Sequence, residues 1–394
     1  MTTATPPRPP RVESVDLLRG IIIILMAIDH SRDFFGTIGA DPTDLATTTP
    51  ALFFTRWITH FCAPVFFLTT GIGAAFSGRR RTTAGLSRHL LARGLWLVLL
   101  EVTVLRFGMQ FNLDYRTTIL TVLWALGWSL VALALLVHLP ARAIAAIGLT
   151  LIVGHNLLDG IPPGRFGALA PLWNVLHQPG LLFISGDRIV ILAYPLIPWI
   201  GVTAVGYALA RVYEWPSEER VRWLWRTGVL VTALFLVLRA VNVYGDPRPW
   251  ESQPTMAGTL ISFFNVNKYP PSLLFLTMTL GPALMALAWF DARTPKLLRP
   301  ALTFGKVPLF FFLLHFPLIH LLAVGVSWAR WGAIHWMFES PTPDRFPITP
   351  PPGWGFGLPV VYLVWAVTVV ALYPVCRWYA GVKARSGSPW LSYL

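Results

Sequence analysis

Along the chain, apolar runs of membrane-spanning length alternate with short polar or Pro/Gly-rich breaks. A helix needs about 20 residues to cross hydrocarbon. On that measure the runs predict spans near 17–36, 51–76, 88–107, 117–138, 141–157, 188–212, 221–241, 272–290, 307–328 and 358–378. The short alternating segments of an outer-membrane barrel do not occur. The expected fold class is therefore all-α, a polytopic transmembrane helical bundle of about ten spans. Ser14 and Asp16 suit the cap and first turn of the opening helix. Residues 1–13 read as a disordered tail, 14–380 as one transmembrane domain and 381–394 as a C-terminal tail.

Three connections, 158–187, 242–271 and 329–357, run to roughly thirty residues each and are rich in Pro, Gly, Trp and Asn, and long connections in compact proteins usually carry function. Trp250, Trp331, Trp336 and Trp354 belong either to a site on that face or to an interfacial aromatic belt.

Composition sharpens the class. Of 394 residues, 55% are hydrophobic and 12% charged, which excludes a soluble domain. The net charge of +13 does not point to nucleic acid, because the basic residues are scattered over short loops rather than gathered on one face. Most of the 31 Lys and Arg fall on the side that holds both chain ends, including Arg79, Arg80, Arg81, Arg88 and Arg93. The positive-inside rule then puts both termini in the cytoplasm. The first apolar run is longer than a signal-peptide core and reads as a span. Cys62 and Cys376 lie in different spans and imply neither a disulfide nor a cysteine metal site.

The first span ends in Asp29, His30, Arg32 and Asp33. Each charge in a membrane helix costs roughly 2.5–3.5 kcal/mol, so this group needs partners or a wet cavity. Arg19 and His30 are eleven residues apart, about 20° around a helix and about 16.5 Å along it, and so share one face. A guanidinium at Arg19 suits a phosphate, and an imidazole at His30 suits a proton. Asp29 or Asp33 can orient that ring. The alternative makes Arg19 a positive-inside anchor and pairs the acidic groups with Arg32. Span two carries Arg56, His60, Cys62 and Pro64. Proline offers no N–H to the His60 carbonyl, so a kink is expected there. Glu101, Arg106 and Arg239 are further intramembrane charges. His315 and His320 are about 140° apart, so only one can face a small site; His315, near the membrane middle, is either a site group or a satisfied core histidine.

The remaining histidines, His89, His138, His177 and His335, fall in loops or at helix ends. His155-Asn156-Leu157-Leu158-Asp159-Gly160 matches the HxxxDG string of soluble coenzyme-A acyltransferases, but at the end of a membrane helix its context is wrong. Phosphate-loop, HExxH and GxSxG motifs are missing, which removes support for nucleotide hydrolysis, zinc proteolysis and serine hydrolysis. No metal is expected.

Two strings, Arg11–Gly20 running into Met26–Phe35 and Arg56-Trp57-Ile58-Thr59-His60-Phe61-Cys62-Ala63-Pro64-Val65-Phe66, resemble bacterial members of the heparan-α-glucosaminide N-acetyltransferase catalytic-domain family. Phe304-Gly305-Lys306-Val307-Pro308-Leu309-Phe310, leading to His315, does so too. The Arg19–His30 spacing is also similar to the Arg-x10-His arrangement of type-3 membrane acyltransferases. The resemblance implies an inner-membrane acyltransferase domain over 14–380 that uses acetyl-CoA or another acyl-CoA from the cytoplasm. Its acceptor would be a sugar or other envelope glycan on the far side. It implies His30, Asp29, Asp33, His60 and His315 as catalytic candidates, and Arg19, Arg79, Arg80 and Arg81 as coenzyme-binding ones. Residues 37–50 hold Asp41 and Asp44 but no histidine, where the lysosomal relative has its important one, which leaves that role to His30. The expected partners are acyl-CoA, the acceptor and the bilayer; a homodimer is allowed. Two rivals remain: a transporter with a His/Asp proton relay, and a haem protein with axial histidines from His30, His60 and His315.

Overall fold

In the computed structural model, which describes residues 12–37, 39–341, 350–386 and 391, the first apolar run folds as α1 (Glu13–Phe35), 23 residues or about 34.5 Å long. Of the expected tails, residues 1–11, 387–390 and 392–394 lie outside the described residues. The second run divides into α2 (Pro50–Thr59), capped by the Thr49 hydroxyl, and α3 (Cys62–Gly78). The break at His60–Phe61 falls where Pro64 withholds its N–H.

α4 (Thr83–Leu100) passes through a π-helical turn, Glu101–Leu105, into α5 (Arg106–Gln110). Glu101 accounts for the turn. Its carboxylate accepts the backbone N–H groups of Thr121, Leu123 and Trp124 and the Thr121 hydroxyl at 2.6–3.2 Å. It thereby caps the start of the next membrane helix, whose first N–H groups would otherwise be orphans. Arg106 donates to the carbonyls of Asn112 and Thr117 and pairs with Asp114 at 3.2 Å. Both charges are occupied in holding this junction.

β1 (Thr117–Leu120) leads into α6 (Val122–Leu136), α7 (Ala141–Gly154), α8 (Ala170–Leu176), β2 (Gly180–Ser185), β3 (Arg188–Leu192) and α9 (Leu196–Leu209). Then come α10 (Ser217–Val241), α11 (Met256–Phe264), α12 (Leu273–Ala292), α13 (Arg299–Lys306), α14 (Pro308–Trp331) and α15 (Leu358–Arg385).

The chain is mostly helical but not all-α. β3 pairs in parallel with β1, Thr117 opposite Ile189 through Leu120 opposite Leu192, and antiparallel with β2. Residues 117–120 and 188–192, expected at the starts of two spans, are thus strands. Their β-branched runs, Thr117-Thr118-Ile119 and Ile189-Val190-Ile191, suit a pleated, half-buried surface, and Gly186, at φ +59°, closes the β2–β3 turn. Seven helical stretches among the described residues are long and apolar enough to cross a membrane. α6 is shorter, and α1 has the length but carries a charge cluster at its far end.

α1 is the hub, packed against α2, α3, α12, α13, α14 and α15. Its tightest crossing is with α13. A Cβ on Gly20 would lie 1.8 Å from the Ala301 carbonyl oxygen, and one on Gly305 1.7 Å from that of Asp16. The two backbones touch with no side chain between them, the small-residue contact by which membrane helices approach closely.

Candidate active site

Arg19 sits one turn into α1, where its Nη2 donates to the Thr69 carbonyl at 2.5 Å and its Nη1 pairs with Asp16 at 3.5 Å. It lines a cavity of about 490 Å³ together with Arg79, His89, Arg93, Lys306 and Lys383. Because Lys383 comes from α15, the start of α1 and the end of the chain's last helix meet at this basic end. Arg79 belongs to this cavity. Arg80 and Arg81 line a neighbouring one of about 810 Å³ that shares Lys306 and Lys383. Arg81 also donates to the Ser77 carbonyl at 2.7 Å. A concave site lined by planar guanidiniums and ammoniums has the chemistry to hold phosphates.

Eleven residues further along α1, His30 Nδ1 lies 3.3 Å from Asp33 Oδ2. When Nδ1 carries the hydrogen it donates to Asp33 and leaves Nε2 to accept a proton. Asp29 does not share this task. It pairs with Arg32 at 2.9 Å and with Arg56 of α2, so this ionic group ties α1 to α2; Asp33 also pairs with Arg32, at 3.1 Å, as the alternative expected, and is the carboxylate that reaches the His30 ring.

The structure also brings His315 of α14 to His30, with ring centroids 5.1 Å apart. His315 is fully buried. Its Nδ1 is 2.7 Å from the Phe312 carbonyl oxygen, which can only accept, so Nδ1 carries the hydrogen and Nε2 the lone pair. That Nε2 has no hydrogen-bond partner. His60, at the α2–α3 break, instead packs on Phe275 at 5.3 Å. His320 has its two ring nitrogens 3.3 Å from the Gly108 carbonyl oxygen and 2.9 Å from that of Met337, of which a neutral ring donates to one, and it stacks on Phe111.

Beyond His30 the helix opens onto a cavity of about 630 Å³ bordered by Arg32, Asp33, His320, Trp336, Trp354 and Phe356. Half of the Asp33 side chain, 51%, is exposed there. Ile119 of β1 also lines it, so the sheet helps to wall this end. Trp336 and Trp354 stand edge to face, 4.9 Å apart. Flat apolar faces beside a carboxylate and a guanidinium suit a polar molecule with apolar ring faces. Trp250 lies elsewhere, its indole N–H donated to the Arg239 carbonyl at 2.8 Å.

Sequence reasoning passed over Lys306, His89, Arg93 and Lys383, which three separate elements, α4, α13 and α15, deliver to the basic cavity. The one available signal was Lys306, inside the Phe304–Phe310 string.

These features define a multi-pass helical membrane protein with a phosphate-suited cavity and a histidine–carboxylate pair on one central helix. Residues 11–242 match the model of the family described as heparan-α-glucosaminide N-acetyltransferase, catalytic, and the chain belongs to that family. The match covers Arg19, Asp29, His30, Asp33, His60 and Arg79 to Arg81; His315 and Lys306 lie beyond it. No curated protein matches the chain.

Proposed function

We propose that the protein transfers an acyl group, acetyl in the first instance, from acyl-CoA at the cytoplasmic, basic end to a hydroxyl or amine of a sugar or envelope glycan entering at the aromatic end. The observation that carries this reading is that a single helix presents Arg19 to the basic cavity and His30 with Asp33 beside the aromatic one. Membership of an acetyltransferase family supports the reaction class.

In the proposed reaction the coenzyme's phosphates rest on Arg19 and Arg79, with Arg80 and Arg81 alongside, and the pantetheine arm carries the thioester toward His30. His30 Nε2 removes the proton from the acceptor as the acceptor's oxygen or nitrogen bonds to the acyl carbon. The carbon–sulfur bond breaks, the thiolate leaves, and the imidazolium proton returns to sulfur. Asp33, half exposed, favours the tautomer with hydrogen on Nδ1, more weakly than the buried carboxylate of a triad does. His315, with Nε2 unshared, is a positioning residue beside the ring. His60 is left at the helix break, and Asp29 supports the site through Arg32 and Arg56.

The test is acceptor-dependent release of coenzyme A by the purified protein, given acetyl-CoA and glucosamine or an envelope glycan fraction. His30→Ala is expected to abolish release, and full release by that variant would refute the assignment.

A further inference from the structure

Well away in sequence from Arg19 and His30, the end of α7 carries a second cluster that the proposed reaction does not use. α7 stops at Gly154, and a 3-10 turn, His155–Leu158, brings Asp159 round to the side of His155. His177, the residue that ends α8, closes on the same point. One ring nitrogen of His155, one of His177 and one carboxylate oxygen of Asp159 all lie within 4.8 Å of one another. His177 Nε2 is 3.0 Å from Asp159 Oδ1, and the two imidazole rings stand edge to face with centroids 5.8 Å apart.

Burial makes this group unusual. His155 is 2% exposed and His177 0%. Nδ1 of His177 lacks a hydrogen-bond partner, and neither nitrogen of His155 makes a hydrogen bond of good geometry, the Pro271 carbonyl being the backbone acceptor beside that ring. A buried polar group left unpaired costs free energy, and most buried side-chain polar atoms in folded proteins are paired. Two buried imidazoles that each turn one ring nitrogen toward the same carboxylate have the donors of a cation site. The carboxylate is also aimed from behind. Asp159 Oδ2 accepts from Asn156 Nδ2 at 2.8 Å, and Asn156 Oδ1 in turn accepts the Leu273 N–H at 2.9 Å. Outer partners of this kind commonly orient metal ligands.

We propose that His155, Asp159 and His177 bind one zinc ion that fastens the segment 159–177 to the ends of α7 and α12. Two neutral imidazoles and a carboxylate form a borderline nitrogen and oxygen set, which suits zinc better than calcium or magnesium. Tetrahedral zinc with bonds of about 2.1 Å sets its ligand atoms about 3.4 Å apart, so a pair at the 4.8 Å limit closes by about 1.4 Å. In the shortest pair, His177–Asp159, the ion takes the place of the hydrogen between Nε2 and the carboxylate, and the neutral His177 ring carries its one hydrogen on Nδ1. A water on the partly exposed Asp159 side completes the coordination. The ion's role is to hold the fold, and it stands or falls independently of acyl transfer. It runs against the expectation from the sequence that no metal is bound.

The experiment uses the full chain, purified in detergent without a polyhistidine tag, stripped with chelator and returned to zinc chloride alone. Zinc per chain is measured after gel filtration, and the thermal midpoint is followed with and without zinc. About one zinc per chain is expected, with a midpoint that falls on chelation and recovers on addition of zinc. His177→Gln and Asp159→Asn are expected to lose the zinc and its stabilisation, and Asn156→Ala to weaken affinity by about tenfold. Cobalt substitution of the unaltered protein keeps the test independent of whether the variants fold: intense visible bands mark a tetrahedral nitrogen and oxygen site. Substoichiometric zinc in the unaltered chain, a featureless cobalt spectrum, or full zinc in both folded ligand variants would overturn the proposal.

Discussion

Replacing Asp33 by Asn separates two ways in which the carboxylates beside His30 can matter. Asp33 is 3.3 Å from His30 Nδ1, and its side chain is 51% exposed. A pair with one partner half exposed contributes about 0.2–1 kcal/mol. At 1.36 kcal/mol per tenfold in rate, losing it lowers turnover by about 1.4- to 5-fold. His30→Ala removes the base itself and costs about 10²–10⁴-fold. Asp29→Asn behaves differently again, since it weakens the pairing of two largely buried arginines, Arg32 and Arg56. Breaking a buried pair costs on the order of 3–5 kcal/mol of stability. The assay is coenzyme A release, followed with a thiol reagent at saturating acetyl-CoA, alongside a thermal midpoint for each variant. The expected order is a small kinetic loss with an unchanged midpoint for Asp33→Asn, a large kinetic loss with an unchanged midpoint for His30→Ala, and a lowered midpoint for Asp29→Asn. If Asp33→Asn is as inactive as His30→Ala, the modest role given to an exposed orienting carboxylate is wrong.

Other expectations follow from the geometry. Arg19→Ala should raise KM for acetyl-CoA by at least tenfold while leaving acceptor KM unchanged, and Arg19→Lys should restore only part of it because an ammonium cannot bind phosphate as a fork; initial rates with each substrate varied decide this. Glu101→Ala strips the start of α6 of its acceptor and should cost on the order of 3 kcal/mol, seen as a lower thermal midpoint, whereas Glu101→Gln keeps an acceptor oxygen and should cost less. Gly305→Ala drives a Cβ into the Asp16 backbone and should lower the yield of folded protein in detergent, while Gly325→Ala, whose added Cβ meets nothing within 4 Å, should not. Partial burial pushes the Asp114 carboxyl up, but hydrogen bonds from the Arg116 N–H and the Ser340 hydroxyl, with the Arg106 charge, outweigh it and hold its pKa below the ordinary value. The stability this brings is present above the unfolded value of about 3.9 and is lost as pH falls through the lower folded value, so unfolding midpoints of the unaltered chain and Asp114→Asn should converge in acid.

How far the sequence could be read depended on how local each relationship is. The Arg19–His30 face and the His30–Asp33 spacing belong to one helix, so helical geometry alone reaches them. The break ahead of Pro64 is equally local, being a missing N–H. The Arg56–Asp29 pair and the His30–His315 contact cross between helices; a helical wheel tells which face a residue occupies but not which helix meets it. The basic cavity is legible at Arg19 and Arg79, yet its lysines and His89 arrive from elements scattered from α4 to α15. The strands at 117–120 and 188–192 were hidden because an apolar run of four or five residues ahead of a longer apolar run looks like the first turn of that helix. The β-branched residues and the Ser185-Gly186-Asp187 turn were the available counter-signal.

The contact of Gly20 with Gly305 has a consequence for donor choice. The interval between Arg19 and His30, about 16.5 Å, is set by the rise of one helix, and with backbone against backbone α1 can neither slide nor roll on α13 without driving a side chain into a peptide group, so both residues are held at their two cavities. Under the proposed reaction a donor is then selected by its length between anchoring phosphate and reactive carbonyl. Acetyl phosphate, whose two groups are adjacent, can occupy one station but not both. An acylated pantetheine without its nucleotide reaches the histidine but has nothing to hold it at the arginine. Discrimination of this kind needs no pocket shaped to the acyl chain, and it leaves the far cavity free to be shaped by the acceptor alone.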